Sequence, residues 1–405
     1  MRILHFADTH ARDKDIEEIK VCLGYIVQEA HDLKPDLIVM AGDTFDSRMV
    51  RLDSQAAKLI FEMYSKLADV APMIVITGTP SHDGLAPQVL ENVRSQYPVH
   101  VSDFPEQVLL TDNGGFVPPG SLAQADIPRA IITCIPTPTK QYWQEFGGKY
   151  ESAKETDVEV AAAMGVMLAN FGAEAAKYDH PHVLVGHFSV GGALLSETQQ
   201  LIGQDIELSK DQIGLANADL VCLGHIHYPQ QLKPNIFYSG SIYTKDFGEL
   251  HPHGFYLHEV GGEDLTESRF IQTPTRKLLK VKGDFTNSPI EELDVVLYEL
   301  SREEIEGSFL RVELRIYQDD VSKIDRNQIE EFYKSAGALE VDLKINTVPR
   351  ETVRSATLLE LQTLRDKVRE MSLLRKEEVP ETILAKADML EHLEPDELCK
   401  AVVNA

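Results

Sequence analysis

The chain of 405 residues is longer than one ordinary domain, and its 43% hydrophobic and 26% charged residues are typical of a soluble globular protein. The sequence contains no apolar run of about 18 residues and no signal peptide, which excludes a transmembrane helix and predicts a cytoplasmic protein without membrane contact. Its four cysteines are far apart, which argues against a disulfide framework and a thiolate zinc site. The formal net charge of −26 is unlike the basic surfaces that usually bind nucleic acid, but an acidic, solvated surface also explains it.

The first third of the chain alternates short apolar runs with segments of helical periodicity. Ile3–Phe6, Leu37–Met40 and Met73–Thr77 are bounded by polar residues or glycine and are typical of buried strands. Between them, Asp15–Ala30 and Ser54–Leu67 carry apolar residues at helical spacing. This βαβαβ pattern predicts parallel strands that are covered by helices.

The middle of the chain continues the strand pattern. Further strand-like runs lie at Ala130–Cys134, Val183–Val185 and Leu220–Leu223. A loop rich in polar, aromatic and glycine residues lies around Thr139–Tyr150 and contains the only tryptophan, Trp143. We therefore expect one large α/β domain over residues 1–272.

The pattern changes after about Thr273. Phe309–Tyr317 alternates apolar and charged residues, which predicts a half-buried strand. This strand is accompanied by two strand-like runs and one helical segment, at Val295–Glu299, Leu339–Ile345 and Arg326–Ser335. Residues 273–350 are therefore predicted to form a small α+β domain.

The C-terminal segment, residues 351–405, is predicted to be helical. An apolar stripe runs from Leu358 to Met371, and Pro380 starts a second predicted helix that carries Ile383 and Leu393. Such stripes pack either against the chain's own core or against a partner, and the sequence leaves both possibilities open.

Potential metal ligands follow five of the strand-like runs. In chain order they are Asp8 and His10, Asp43, His82 and Asp83, His187, and His225 and His227. The carboxyl ends of sheet strands are where α/β proteins place their sites. Imidazole and carboxylate together suit manganese, iron or zinc better than calcium. Each motif alone is common, but all five in this order predict a metal-dependent site.

The ordered set D-x-H, G-D, x-H-D, G-H and G-H-x-H resembles the calcineurin-like metallophosphoesterase superfamily, over about Met1–Gln272. Within it, HFADTH, GDTFD, GHIH and the segment Tyr238–Glu249 resemble SbcD-type nucleases, the prokaryotic counterparts of the nuclease in the eukaryotic MRN complex. This resemblance implies an α/β fold: a β-sandwich flanked by helices, with a small α+β capping (DNA-recognition) domain and a C-terminal helical ATPase-binding segment.

The same resemblance implies two divalent metal ions, with manganese expected and iron, zinc or magnesium left open. The ligands that it implies are Asp8, His10 and His227 for one ion, His187 and His225 for the other, and Asp43 as a bridge. His82 would protonate or steady the scissile phosphate and leaving group, and Asp83 would orient His82. Two cations and a nearby imidazole suit phosphodiester hydrolysis near neutral pH.

The sequence departs from the family pattern at two places. The family usually has G-N-H-D, with Asn as a ligand to the second ion, whereas this chain has G-T-P-S-H-D. Ser81 is therefore expected at the Asn position, as a weaker ligand. After D-x-H the family commonly has Leu-Gly, whereas this chain has Ala11 and Arg12, which allows a different loop shape.

By resemblance, the chain is expected to be a manganese-dependent DNA exonuclease or endonuclease acting on DNA ends in repair and recombination. The implied partners are DNA, an SbcC-type SMC-like ATPase and a second copy of the chain. A phosphatase or phosphodiesterase with a non-DNA substrate, which the acidic charge favours, remains open, and so does a catalytically weak scaffold, which the missing Asn favours. The densest basic stretch supplies the candidate DNA contacts Arg276, Lys277, Lys280 and Lys282, although a solvated linker explains it equally well.

Overall fold

The structure is a computed structural model. It describes residues 1–123, 126–138, 153–196, 199, 206–261, 267–293, 302–349, 358, 361–375 and 377–392. The loop predicted around Thr139–Tyr150, which contains Trp143, and the strand predicted at Val295–Glu299 lie outside the described residues.

The N-terminal βαβαβ unit is confirmed. It comprises β1 (Arg2–Phe6), α1 (Ile16–Leu33), β2 (Leu37–Met40), α2 (Gln55–Ala68) and β3 (Met73–Ile76). The pairs β1–β2 and β2–β3 are parallel. The start of α2 is fixed by Ser54, whose hydroxyl accepts a hydrogen bond from the N–H of Ala57 at 3.1 Å.

The remaining regular elements follow in chain order. The strands are β4 (Val99–Ser102), β5 (Glu106–Thr111), β6 (Phe116–Val117), β7 (Pro128–Ile135), β8 (His182–His187), β9 (Ser189–Val190), β10 (Glu207–Leu208), β11 (Leu220–Gly224), β12 (Gln230–Lys233), β13 (Ile236–Tyr238), β14 (Gly254–Glu259), β15 (Glu267–Gln272), β16 (Lys277–Asp284), β17 (Ser308–Tyr317) and β18 (Glu340–Val348). The helices are α3 (Ala153–Ala175), α4 (Lys210–Gly214), α5 (Arg302–Ile305), α6 (Arg326–Ser335), α7 (Leu364–Arg375) and α8 (Glu381–His392).

Two mixed sheets form a β-sandwich. One has the strand order β15-β14-β1-β2-β3-β4, and the other has the order β12-β13-β11-β8-β7-β5-β6. Apolar side chains of both sheets, such as Val39 and Val185, pack together in the core between them. Helices α1 and α2 cover the outer face of the first sheet, and α3 and α4 pack with the second. The predicted β-sandwich flanked by helices is therefore confirmed.

The C-terminal part contains a three-stranded sheet in the order β16-β17-β18 and the helices α6, α7 and α8. Burial alternates along β17, as its sequence predicts, and α6 has the predicted bounds. The chain divides into two compact units, each made of three segments. The first unit comprises Met1–Val281, Leu297–Val312 and Asn327–Leu343. The second unit comprises Lys282–Val296, Glu313–Arg326 and Lys344–Ala405. The domain boundaries at 272 and 350 remain a prediction. Among the described helices, none has the length and apolar character needed to cross a membrane.

Candidate metal centre

The loops that follow β1 and β2 run side by side at the carboxyl ends of the strands. The N–H of Asp8 donates to the carbonyl of Gly42 at 3.0 Å, and the N–H of His10 donates to the carbonyl of Asp43 at 2.9 Å. Glycine is required at position 42, because a Cβ there would lie 2.2 Å from Nδ1 of His187. The missing side chain therefore lets an imidazole from the second sheet approach these two loops.

Four candidate ligands, in the loops after β1, β2 and β11, have left-handed backbone conformations, which residues with side chains rarely adopt. The φ angles are 53° at Asp8, 42° at His10, 54° at Asp43 and 91° at His225. Such conformations persist only where the surrounding structure imposes them, and they concentrate at functional sites. Four of the six described non-glycine residues with positive φ are therefore candidate ligands.

The predicted ligands form two groups of three residues. In each group, one ligand atom per residue lies within 4.8 Å of the others. The groups are Asp8, His10 and His227, and Asp43, His187 and His225. All six side chains are buried except that of His225, which is half-buried.

The imidazoles of His187 and His227 are each anchored through Nδ1. Nδ1 of His187 lies 2.7 Å from the carbonyl oxygen of Ala41, and Nδ1 of His227 contacts a carboxylate oxygen of Glu249. Because these oxygens only accept hydrogen bonds, both Nδ1 atoms carry the proton. In the neutral imidazole, Nε2 is then the ring nitrogen with the lone pair, which is the arrangement that metal-binding histidines commonly show.

The facing atoms of the two groups fit divalent cations. Nε2 of His10 lies 3.0 Å from Nε2 of His227, and Nδ1 of His10 faces Oδ1 of Asp46 at 3.6 Å. Two nitrogen lone pairs at this distance repel each other unless a proton or cation lies between them. Oδ2 of Asp43 lies 3.6 Å from Nε2 of His10 and 3.3 Å from Nε2 of His187. Asp43 thus faces both groups.

The electrostatics of the groups arise from buried, opposite charges. Burial would lower the pKa of His187, but Asp43 more than offsets it and raises the pKa to about 9. Burial would raise the pKa of Asp43, but His187 and His10 hold it well below its ordinary range. Burial raises the pKa of Asp8 and lowers that of His10 well below its ordinary value. Asp43 is therefore ionised and requires a positive partner.

His82 and Asp83 make different contacts from those expected. The buried carboxylate of Asp83 accepts from the N–H of Phe45 at 2.9 Å and from the N–H of Gly78 at 2.7 Å. Nδ1 of His82 lies instead 3.2 Å from the carbonyl oxygen of Asp46. Asp83 therefore joins the loops after β2 and β3, and the backbone of Asp46 orients His82.

The two departures from the family pattern have visible structural consequences. The side chain of Ser81 is exposed, and its carbonyl oxygen accepts from the N–H of Arg48 at 3.0 Å. Ala11 is buried, and Nη1 of Arg12 donates to Oδ2 of Asp46 at 3.3 Å. The first departure thus places an exposed residue where a metal ligand was expected.

Three site residues were not identified from the sequence pattern. Glu249 contacts His227, Nζ of Lys245 lies 2.9 Å from Oδ1 of Asp46, and Oε1 of Gln199 accepts from the N–H of His227 at 3.0 Å. Glu249 and Lys245 lie in the segment that resembles SbcD-type nucleases, which could have indicated them. For Gln199 the sequence offers no such signal.

The candidate DNA contacts differ in their exposure and in their contacts within the protein. The guanidinium of Arg276 donates to the carbonyls of Thr244 and Lys245 at 3.0 and 2.9 Å, and to Oδ1 of Asp15 at 3.2 Å. Lys277 and Lys282 are exposed and Lys280 is half-buried. Arg276 is therefore engaged within the protein, and contact of these residues with DNA remains a prediction.

Comparison with known proteins gives concordant findings. The family described as calcineurin-like phosphoesterase matches residues 1–229. The SbcD subunit of nuclease SbcCD from Staphylococcus saprophyticus is 26% identical over 73% of this chain and 75% of its own length. The SbcD proteins of Staphylococcus epidermidis and Bacillus subtilis are 24% identical, over 73% of this chain and 76% of theirs, and 28% identical, over 70% and 72%.

Among solved structures, a dimetal phosphatase from Danio rerio covers 67% of this chain and 96% of its own, with a TM-score of 0.41 and 10% identity. The family match covers more than half of the chain and includes every predicted metal ligand. The chain belongs to the calcineurin-like phosphoesterase family.

Proposed function

We propose that the chain is a DNA nuclease that uses two divalent cations, with manganese as the expected metal. The observation that carries the proposal is the pair of three-residue groups, with Asp43 facing the imidazoles of both His10 and His187. The similarity to the SbcD proteins of three bacteria, which are named as nucleases, supports DNA as the substrate. Asp8, His10 and His227 would hold one cation, His187 and His225 the other, and Asp43 would bridge them.

The protein positions the candidate ligands of this site in the absence of substrate. When bound, two cations activate water for attack and neutralise the charge that develops on the phosphate. The carbonyl oxygen of Ala41 contacts Nδ1 of His187, and the carboxylate of Glu249 contacts Nδ1 of His227. Each Nε2 therefore points into the site. Burial of the ligands excludes bulk water, which strengthens the electrostatic interactions inside the site.

His82 is the proposed general acid. It is half-buried, and its ring packs edge-on against His10 with the ring centroids 4.7 Å apart. Because the carbonyl of Asp46 occupies Nδ1, the other ring nitrogen is the one that can donate a proton to the leaving oxygen. A positioned imidazole suits this role because it can deliver a proton from a ring nitrogen.

A phosphatase with a small substrate is the second candidate. The net charge of −26 favours it, and so does the engagement of Arg276 with Asp15, because both leave little free positive charge for a DNA backbone. The two candidates share the same metal groups and differ in the substrate that they hydrolyse.

The proposal is tested with purified, chelator-treated protein, linear duplex DNA and a generic phosphate ester, with and without manganese. We expect manganese-dependent DNA cleavage that Asp43→Ala abolishes and His31→Ala, at an exposed histidine of α1, leaves unchanged. Ester hydrolysis without DNA cleavage would favour the phosphatase. Equal cleavage by the Asp43→Ala protein would contradict the metal assignment.

The proposed partner is an SbcC-type ATPase that binds the C-terminal helices. In these helices Leu373 and Leu390 are 68% and 61% exposed, although large apolar side chains are normally buried. Removal of the residues after Arg354 should abolish co-purification with the ATPase and leave phosphodiester hydrolysis intact. Retained co-purification would mean that the ATPase binds elsewhere. The homodimer remains a prediction, and light scattering of the purified chain tests it.

A further inference from the structure

The loop from Gly78 to Asp83 is two residues longer than the family pattern G-N-H-D. Two hydroxyl residues can therefore correspond to the family's Asn. Thr79 follows the glycine, as Asn does in the pattern, whereas Ser81 precedes His82, as Asn also does. The sequence alone does not show whether Thr79 or Ser81 corresponds to the Asn, whereas the contacts of the loop distinguish the two.

Thr79 is the residue that faces the second ligand group. Its N–H donates to Oδ1 of Asp43 at 2.5 Å, and its hydroxyl donates to Oδ2 of Asp43 at 3.2 Å. The same hydroxyl oxygen lies 3.5 Å from Nε2 of His187. Ser81, in contrast, has an exposed side chain.

The geometry of the loop explains this difference. A Cβ at Gly78 would lie 2.1 Å from the backbone nitrogen of Asp43, so only glycine lets the chain pass this close. The carbonyl of Thr79 then accepts from the N–H groups of His82 and Asp83 at 2.9 and 3.0 Å, which closes a turn. Pro80 and Ser81 lie inside that turn, both with exposed side chains. The two extra residues thus bulge outward, while Thr79 stays beside Asp43.

We propose that Thr79, and not Ser81, supplies the neutral oxygen ligand of the second cation, in the place that the family gives to Asn. The inference rests on the two-cation site proposed above. An un-ionised hydroxyl is a weaker ligand than an amide oxygen, and here it is also hydrogen-bonded to Asp43. We therefore expect the second cation to bind more weakly than the first.

The test is a calorimetric manganese titration of chelator-treated protein, with metal content measured in parallel. The wild-type protein should take up two cations. Thr79→Val has nearly the same shape and keeps the backbone N–H, and it should weaken the second binding step by about tenfold or more, whereas Thr79→Asn should strengthen it. Ser81→Ala is the matched control and should leave both steps unchanged. Thr79→Ser retains a hydroxyl and should keep two steps, even if Thr79→Val folds poorly.

The outcomes separate the inference from the function on which it rests. A wild-type protein that binds fewer than two cations would overturn the two-cation site and the role of Thr79 with it. Two wild-type steps that persist in Thr79→Val would overturn only the role of Thr79. A second step that is lost in Ser81→Ala would return the ligand role to Ser81. Manganese-dependent DNA cleavage by the wild-type protein, measured on the same preparation, reports on the proposed function independently.

Discussion

Two buried clusters of histidines in this protein use their ring nitrogens in opposite ways. In the cluster formed by His5, His258 and Cys222, Nε2 of His5 lies 3.2 Å from the carbonyl oxygen of Leu223 and therefore carries the proton. Nδ1 of His5 then accepts from Nε2 of His258 at 3.3 Å, and Nδ1 of His258 accepts from the hydroxyl of Ser268 at 2.7 Å. Every ring nitrogen in this cluster has a protein partner.

In the two candidate metal groups, the Nε2 atoms of His10, His187 and His227 face one another or a buried carboxylate. Nε2 of His10 and Nε2 of His227 face each other at 3.0 Å, and the buried carboxylates of Asp8 and Asp43 lie beside them. The other cluster has no carboxylate among its three members, and burial holds the pKa of the Cys222 thiol well above its ordinary range, so that it stays protonated. A group of buried histidines therefore indicates a metal site when buried carboxylates converge on its ring nitrogens.

Among the substitutions that test the difference between the two clusters, we expect His82→Ala to have the largest effect. His82 contacts His10 and forms a separate group with His10 and Asp46, outside the two groups that we propose hold the cations. Its loss should therefore lower the cleavage rate by about 10²–10⁴-fold while metal content and melting temperature stay near wild type. Turnover, metal content and melting temperature are measured on one preparation. Near-normal turnover in a fully metallated variant would remove His82 from the mechanism.

A smaller effect is expected for the residue that anchors His227. Burial raises the pKa of Glu249, but the hydrogen bond from His227 outweighs it and lowers the pKa to about 2, so the carboxylate is ionised. Glu249→Ala leaves Nδ1 of His227 without its acceptor, and manganese affinity should fall by about 10–100-fold. Glu249→Gln should recover part of this loss, because its amide oxygen can still accept a hydrogen bond from Nδ1–H of His227. Glu259→Ala, at an exposed surface pair with Arg2, is the control, and an equal loss there would refute the anchoring role.

The smallest effect concerns stability and belongs to the other cluster. Burial lowers the pKa of His5 from 6.5 to about 3, so between these values the unfolded chain binds a proton that the folded chain does not. The free energy of unfolding should therefore fall as the pH drops below 6.5, by up to about 1.4 kcal/mol per pH unit for this group. Urea unfolding of the metal-free protein between pH 7 and 5 should show a shallower decline for His5→Gln. The exposed control His31→Gln should keep the wild-type slope, and an unchanged slope in His5→Gln would contradict the account.

Much of the fold could be predicted from the sequence because its elements are set by local patterns. The runs at Leu37–Met40 and Met73–Thr77 are apolar over their strands, and strands buried on both faces require this. The helix at Arg326–Ser335 has the bounds that the sequence pattern predicts. The sequence could bring the candidate ligands together because each follows such a strand, and parallel neighbours have their carboxyl ends at one edge. Their role as ligands remains a prediction.

The remaining features of the site depend on contacts between segments far apart in the chain. Asp83 is adjacent to His82 in sequence, yet its carboxylate turns to the N–H of Phe45. Thr79 and Ser81 are chemically similar, and only the path of the loop gives them different surroundings. Gln199 lies 28 residues before His227 in the sequence. No local sequence pattern therefore predicts the hydrogen bond that its Oε1 accepts from the N–H of His227.

The left-handed backbone conformation of four candidate ligands lowers the stability of the fold but places side chains that the proposed chemistry requires. These residues are Asp8, His10, Asp43 and His225. Each such conformation costs on the order of 1 kcal/mol for a residue with a side chain, whereas the net stability of a folded domain is only about 5–15 kcal/mol. Glycine adopts the conformation without that cost, but it offers no ligand atom. Laboratory evolution of this chain for heat resistance alone would therefore favour variants that lose these side chains, so any thermostability screen has to select for metal binding as well.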